Sequence, residues 1–151
     1  MHVAPAAPDA APEAAQSARW PVLAVVSVGG ATGAVGRYGV DVLLPPADGG
    51  FPLGTFLVNV TGCLLIGVLA GTLFHAGAHR LLRPFVAVGV LGGFTTFSTY
   101  AVAVVEIALD GAPATAFGYL IATVAAALVA VEAGLTLSRY LAYRPRRGRL
   151  R

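Results

Sequence analysis

The stretch Pro84-Phe-Val-Ala-Val-Gly-Val-Leu-Gly-Gly-Phe-Thr-Thr-Phe-Ser-Thr-Tyr-Ala-Val-Ala-Val-Val105 decides how this chain is read. Its 22 residues carry no Asp, Glu, Lys or Arg. A helix crossing a bilayer core needs about 20 apolar residues, so the length fits one crossing. The middle of the stretch does not suit a continuous helix. Gly89, Gly92 and Gly93 are followed by Thr95, Thr96, Ser98 and Thr99. Glycine costs a helix about 1 kcal/mol relative to Ala, and hydroxyl side chains compete for backbone hydrogen bonds. The stretch therefore predicts a membrane helix broken at about Gly92–Thr96. Two readings of the break stay open. Freed carbonyls hold a cation, as in the broken helices of transporters, or the glycines form a packing face with the hydroxyls bonded back to their own helix.

Three further uncharged runs flank it: Trp20–Gly36, Gly49–Phe74 and Gly111–Val131, of 17, 26 and 21 residues. The four runs together hold 86 of the 151 residues. Apolar residues make up 57% of the chain and charged ones 11%, against about 25% charged in a soluble domain. That is too little charge to coat a globule in water. The pattern predicts an all-α integral membrane protein with four transmembrane helices and a broken third helix. The crossings are expected at about Trp20–Leu44, Pro52–His75, Pro84–Ala108 and Ala114–Tyr140. It excludes a soluble enzyme, a nucleic-acid binder and a disulfide scaffold. The domain boundaries read as an Ala/Pro-rich disordered tail over 1–18, a four-helix domain over 19–142 and a basic tail over 143–151.

The polar residues within the runs are few. Asn59 is a lone amide in its run, and a polar group at that depth either marks a pathway or bonds between helices. Tyr119 and Thr123 lie four apart, on one face of the fourth helix. Glu132 is a membrane carboxylate that either titrates or snorkels to the interface. Gly67 and Gly71, also four apart, let another backbone approach closely. Cys63 reads as a packing residue. His75 and His79 have a metal-ligand spacing but no companions, and zinc wants three or four ligands. Four crossings are too few to enclose a pore, so assembly is expected.

Three segments together resemble the Fluc (CrcB) fluoride channels: Gly29-Gly-Ala-Thr-Gly-Ala-Val-Gly-Arg-Tyr38, Gly54-Thr-Phe-Leu-Val-Asn-Val-Thr-Gly62 and Gly92-Gly-Phe-Thr-Thr-Phe-Ser-Thr-Tyr100. The resemblance covers about residues 20–140. It implies an antiparallel dimer of two four-helix subunits in the cell membrane, with two narrow anion pores. It implies a structural, untransported Na⁺ held by backbone carbonyls at Gly92 and Thr95 of both subunits. The pore residues it implies are Asn59, Phe97, Tyr100, Tyr119, Thr123 and, near a mouth, Arg37. By the same resemblance Tyr100 stands where most relatives carry Phe, and Ala127 where a hydroxyl is usual.

The function so implied is passive export of fluoride, lowering its cytoplasmic level. Two other classes are distinguishable by flux. A proton-coupled exporter of the small multidrug type would need a membrane carboxylate such as Glu132, and a non-transporting assembly subunit would pass nothing. All ten cationic side chains are Arg. Nine of them fall on the side holding both termini and the 75–83 loop, and Arg37 alone on the other. The positive-inside rule then predicts both termini in the cytoplasm. A single fixed orientation conflicts with an antiparallel pair of identical chains, so this bias predicts a heterodimer with an oppositely oriented homologue. Membrane lipid and fluoride are the other partners expected, and nucleic acid is not.

Overall fold

The computed structural model describes residues 19–45, 50–73 and 80–142. The two tails, residues 46–49 and the His75/His79 pair lie outside the described residues. The described chain is helical: α1 (Arg19–Leu43), α2 (Leu53–Leu73), a π-helical α3 (Pro84–Val90), a one-turn α4 (Leu91–Phe94), α5 (Ser98–Leu109) and α6 (Pro113–Ala142). Three stretches are long and apolar enough to cross a membrane: Leu53–Thr72, Pro84–Leu109 and Pro113–Leu141. The first helix has the length, at 25 residues, but not the apolarity. Gly29, Gly30, Gly33, Gly36 and Gly39 contribute little, and Arg37 and Asp41 subtract.

Proline and glycine set the boundaries. Pro84 and Pro113 open their helices, where a missing N–H costs nothing and the fixed φ suits the first turn. Gly111, with φ 85°, closes α5. Its N–H donates to the Ala108 carbonyl, and the Ala112 N–H to that of Ile107. That is a Schellman ending, and it needs a residue free to take positive φ.

Packing is organised by two glycine seams. The first joins α1 to α3 and α4. A Cβ at Gly33 would run into the Val90 carbonyl, and one at Gly93 into that of Gly30. Gly29 and Gly89 meet backbone to backbone in the same seam. The second joins α2 to α6. A Cβ at Gly67 would strike the Val131 carbonyl, one at Gly134 that of Leu64, and one at Gly71 the Ser138 hydroxyl. Ser138 is fully buried and donates to the Leu135 carbonyl at 2.8 Å. Lipid tails are as apolar as leucine, so helices in a bilayer gain from close backbone approach rather than from leaving water. Both seams use residues four apart on each side, which is one helical face.

Away from the seams, an aromatic cluster fills one end. Tyr100, Ile107, Ala116 and Tyr119 are buried together, with Phe56 against them. Phe51 meets Phe56 and Tyr119 edge-on, at centroid separations of 5.3 and 5.1 Å. Less than a third of each apolar span is buried within the chain. The rest of that surface faces outward, as a membrane protein's does.

Candidate functional site at the broken helix

The break begins with one residue. Thr95 is extended (φ −76°, ψ 158°), and the helix resumes only at Ser98. In an unbroken helix the Thr96 N–H would bond the Gly92 carbonyl. Here it donates to Asn59 Oδ1 at 2.9 Å, and Asn59 Nδ2 donates to the Thr96 carbonyl at 2.9 Å. The Thr99 N–H would bond the Thr95 carbonyl. It goes instead to Thr96 Oγ1 at 3.2 Å, and that hydroxyl donates to Thr99 Oγ1 at 3.0 Å. Thr96, itself buried, thus caps α5. The carbonyls of Gly92 and Thr95 lose their helical partners in consequence. A Cβ at Gly92 would meet nothing within 4 Å, so that side of the break is open within this chain. Among the described residues no group of three or more His, Cys, Asp and Glu gathers to hold a metal.

Beside the break lies a pocket of about 350 Å³. It is lined by Asn59, Thr95, Thr96, Phe97, Tyr100 and Thr123, and further along by Cys63, Ala127 and Leu128. Five of the residues singled out from the sequence therefore line one cavity: Asn59, Thr95, Phe97, Tyr100 and Thr123. Phe97 is 79% exposed, its ring 5.8 Å from that of Tyr100. The Tyr100 hydroxyl points the other way and donates to the Leu120 carbonyl at 2.9 Å. Tyr100 therefore offers the pocket its ring and α6 its hydroxyl.

Tyr119 is fully buried, one turn before Thr123 on α6, and its ring packs 5.4 Å from that of Tyr100. The Tyr119 hydroxyl faces the hydroxyls of Thr123 and Thr55, but neither it nor Thr123 Oγ1 completes a hydrogen bond of ordinary geometry among the described residues. Unmet buried polar atoms of this kind cost about 1–3 kcal/mol each, and Thr123, which lines the pocket, is a donor a bound anion would satisfy. Past Thr123 the lining turns apolar, with Ala127, Leu128 and Val131.

Arg37, Tyr119 and Gly92 are not among the residues lining this pocket. Arg37 is half-buried on α1. Thr95 Oγ1 bonds back to the Leu91 carbonyl at 2.9 Å, so the side chain serves its own helix while its carbonyl is released. Glu132 lies on an exposed face of α6, away from the break.

The capping role of Thr96 was not singled out from the sequence, although a hydroxyl three residues before Thr99 is a recognisable cap signal. Gly62 also matters to the site. A Cβ there would collide with Thr95 Cγ2, so α2 needs glycine at this point to let the break sit against Asn59.

The sequence profile described as CrcB-like protein, Camphor Resistance (CrcB), matches residues 24–135. A protein named fluoride-specific ion channel FluC, from Paracoccus denitrificans (strain Pd 1222), is 48% identical over 116 residues, 77% of this chain and 93% of its own length. FluC 1 of Streptomyces coelicolor (strain ATCC BAA-471 / A3(2) / M145) is 53% identical over 112 residues, 74% of this chain and 73% of that protein. FluC 2 of Nocardia farcinica (strain IFM 10152) is 48% identical over 120 residues, covering 79% and 86%. The matched region runs from within α1 to within α6 and contains the break, its clamp and the whole pocket, and the protein is a member of the CrcB family.

Proposed function

We propose that the chain is a subunit of a fluoride-specific channel that lets fluoride leave the cell passively. The observation that carries this reading is the pocket at the break. It gathers an amide with a second N–H beyond the one spent on Thr96, the Thr123 hydroxyl, which completes no hydrogen bond of ordinary geometry among the described residues, and the exposed Phe97 ring. Fluoride holds its water tightly, so a pore for it must replace that water with converging donors. An aromatic ring edge is electropositive and serves as one. The names of the relatives point the same way.

In this reading α1 is the fourth crossing, and two subunits assemble antiparallel, with the pore elements Asn59, Phe97, Tyr100, Tyr119, Thr123 and Arg37. The carbonyls of Gly92 and Thr95, short of their helical partners, suit a hard monovalent cation such as Na⁺. Such an ion would fix the break and raise the potential for anions beside it, where screening by salt is weak. The arginine bias favours cytoplasmic termini and a heterodimer with an oppositely oriented homologue. Apolar Ala127 at the end of the pocket suits a subunit with one imperfect pore.

Fluoride efflux from liposomes tests the function. Flux independent of a proton gradient is expected, and no flux from any assembly containing the chain would overturn it. Robust flux from the purified chain alone, with its C-terminus labelled from both sides of the membrane, would restore a homodimer.

A further inference from the structure

The seam between α2 and α6 sets the register of one wall of the pocket at the break. Gly67 meets Val131 backbone to backbone, and Gly71 meets Ser138 further along, so the two helices run side by side in the same direction. Residues four apart share a helical face. One turn before Gly67 and Val131 stand Cys63 and Ala127, and one turn earlier still stand Asn59 and Thr123. All four line the pocket. The wall is thus a ladder of rungs that ends where Gly67 closes on Val131. The first rung, Asn59 with Thr123, is polar on both sides. Thr123 is 4% exposed, and its hydroxyl completes no hydrogen bond of ordinary geometry among the described residues, so this rung calls for a polar occupant. On the second rung α6 offers only the Ala127 methyl, whereas α2 offers the thiol of Cys63, which is free and half-buried. The other polar side chains of the lining are engaged elsewhere: Thr95 Oγ1 with the Leu91 carbonyl, Thr96 Oγ1 with Thr99, and the Tyr100 hydroxyl with the Leu120 carbonyl.

We infer that Cys63 lines the anion route, its S–H serving the ion one turn, about 6 Å, beyond the rung of Asn59 and Thr123. The inference rests on the reading of the chain as a fluoride channel subunit. A small anion held between methyl groups alone is strongly destabilised. A thiol is a weak donor and a polarisable one, and it gives the second rung a contact that Ala127 cannot. The same placement makes Cys63 a site for a soft cation. Ag⁺ takes the place of the thiol proton, an S–Ag bond forms, and the proton leaves to solvent. The bound metal then stands across from Ala127 and obstructs the route. The chain has a single cysteine, so a thiol-directed effect on it reports on this one position.

Fluoride efflux from liposomes that carry the full chain in its conducting assembly tests this, in nitrate buffer with and without silver nitrate. Ag⁺ is expected to stop most of the efflux. Cys63→Leu, which fills the second rung with hydrocarbon, should lower efflux by about tenfold, the loss of one donor. Cys63→Ser, which keeps a donor, should conduct better than Cys63→Leu and should not respond to Ag⁺. A second readout does not use flux. Alkylation of Cys63 by N-ethylmaleimide (sulfur adds to one alkene carbon and the proton to the other), followed by mass spectrometry, should slow when fluoride replaces gluconate at equal ionic strength, because an ion in the route stands against the sulfur. Efflux indifferent to Ag⁺, an equal block in Cys63→Ser, or a Cys63→Leu protein that conducts like the parent would each overturn the inference and leave the channel reading standing. Equal alkylation rates in fluoride and gluconate would also place the thiol off the route. No efflux from any assembly containing the chain would overturn the channel reading and the inference with it. Should Cys63→Leu fail to fold, silver sensitivity compared between the parent and Cys63→Ser, together with protection of the parent's thiol by fluoride, decides.

Discussion

Asn59 and Thr96 hold each other by two hydrogen bonds of 2.9 Å, amide edge against peptide edge, across 37 residues of sequence. The amide of α2 stands in for the helical partners that the break takes from Thr96. Asn59→Asp keeps the acceptor for the Thr96 N–H but sets a second oxygen against the Thr96 carbonyl. It also adds a negative charge beside the proposed anion path. An unmet buried group costs about 1–3 kcal/mol, so the unfolding midpoint should fall measurably. Fluoride flux should drop by on the order of tenfold or more, since 1.4 kcal/mol is one factor of ten. Flux and stability both unchanged would remove Asn59 from the clamp and from the pore.

The two aromatics of the pocket separate ring from hydroxyl. Tyr100→Phe loses only the bond to the Leu120 carbonyl, about 1 kcal/mol of stability, and flux should stay within about twofold of the parent by the same measure. Phe97→Ile keeps bulk and discards the polarised edge. The exposed position of Phe97 makes its loss cheap for the fold, so flux should fall while the thermal midpoint holds. Stopped-flow or electrode-recorded efflux alongside thermal unfolding reads both. A Tyr100→Phe protein with the larger flux defect would mean that the hydroxyl leaves Leu120 to meet the ion.

Gly71 and Ser138 make a close contact that a paired substitution can probe. A methyl at position 71 has no room beside the Ser138 side chain, but it would stand 3.6 Å from the Ser138 Cα, an ordinary contact. Gly71→Ala alone should destabilise by about 1–3 kcal/mol, the usual cost of overpacking. Gly71→Ala with Ser138→Gly should recover much of that, although the hydroxyl's bond to Leu135 is lost. Additive effects of the two changes, measured by thermal unfolding, would show that α2 and α6 do not approach there.

Gly92 offers the reverse case. It has ordinary helical backbone, and its would-be Cβ meets nothing in this chain. Gly92→Ala should therefore leave the subunit's own fold intact. If a second subunit and a shared Na⁺ close on the break, the same change should weaken dimerisation and the dependence of flux on monovalent cations. Analytical centrifugation in detergent and flux after cation depletion report the two effects. A Gly92→Ala protein that dimerises and conducts like the parent would take Gly92 out of the subunit contact.

Much of this arrangement is legible in the sequence because membrane helices write themselves as uncharged runs. The break was readable from Gly92 through Thr99, since glycine and hydroxyls weaken a helix by chemistry that requires no neighbours. The α2 seam was readable from Gly67 and Gly71 by their spacing. What the sequence leaves out is pairing. Nothing local says that the α2 glycines meet Gly134 and Ser138, or that the amide of Asn59 spends itself on Thr96. The π-helical turns of α3 are equally silent, since Pro84–Val90 has the composition of any apolar helix. The direction of the Tyr100 hydroxyl, away from the pocket, is likewise a fact of packing.

The glycine-rich first helix has a consequence for biogenesis. Arg37, Asp41 and five glycines leave α1 less apolar than the three long apolar spans, and it is synthesised before the other described helices. Its partner, the stretch around Gly89 and Gly93, emerges some sixty residues later. For α1, entering the bilayer is then an act of tertiary assembly, completed when the later hairpin arrives and closes on it. Variants that loosen this seam, such as Gly33→Leu, should accumulate as chains with a misplaced amino terminus, visible to protease before any loss of channel activity is scored.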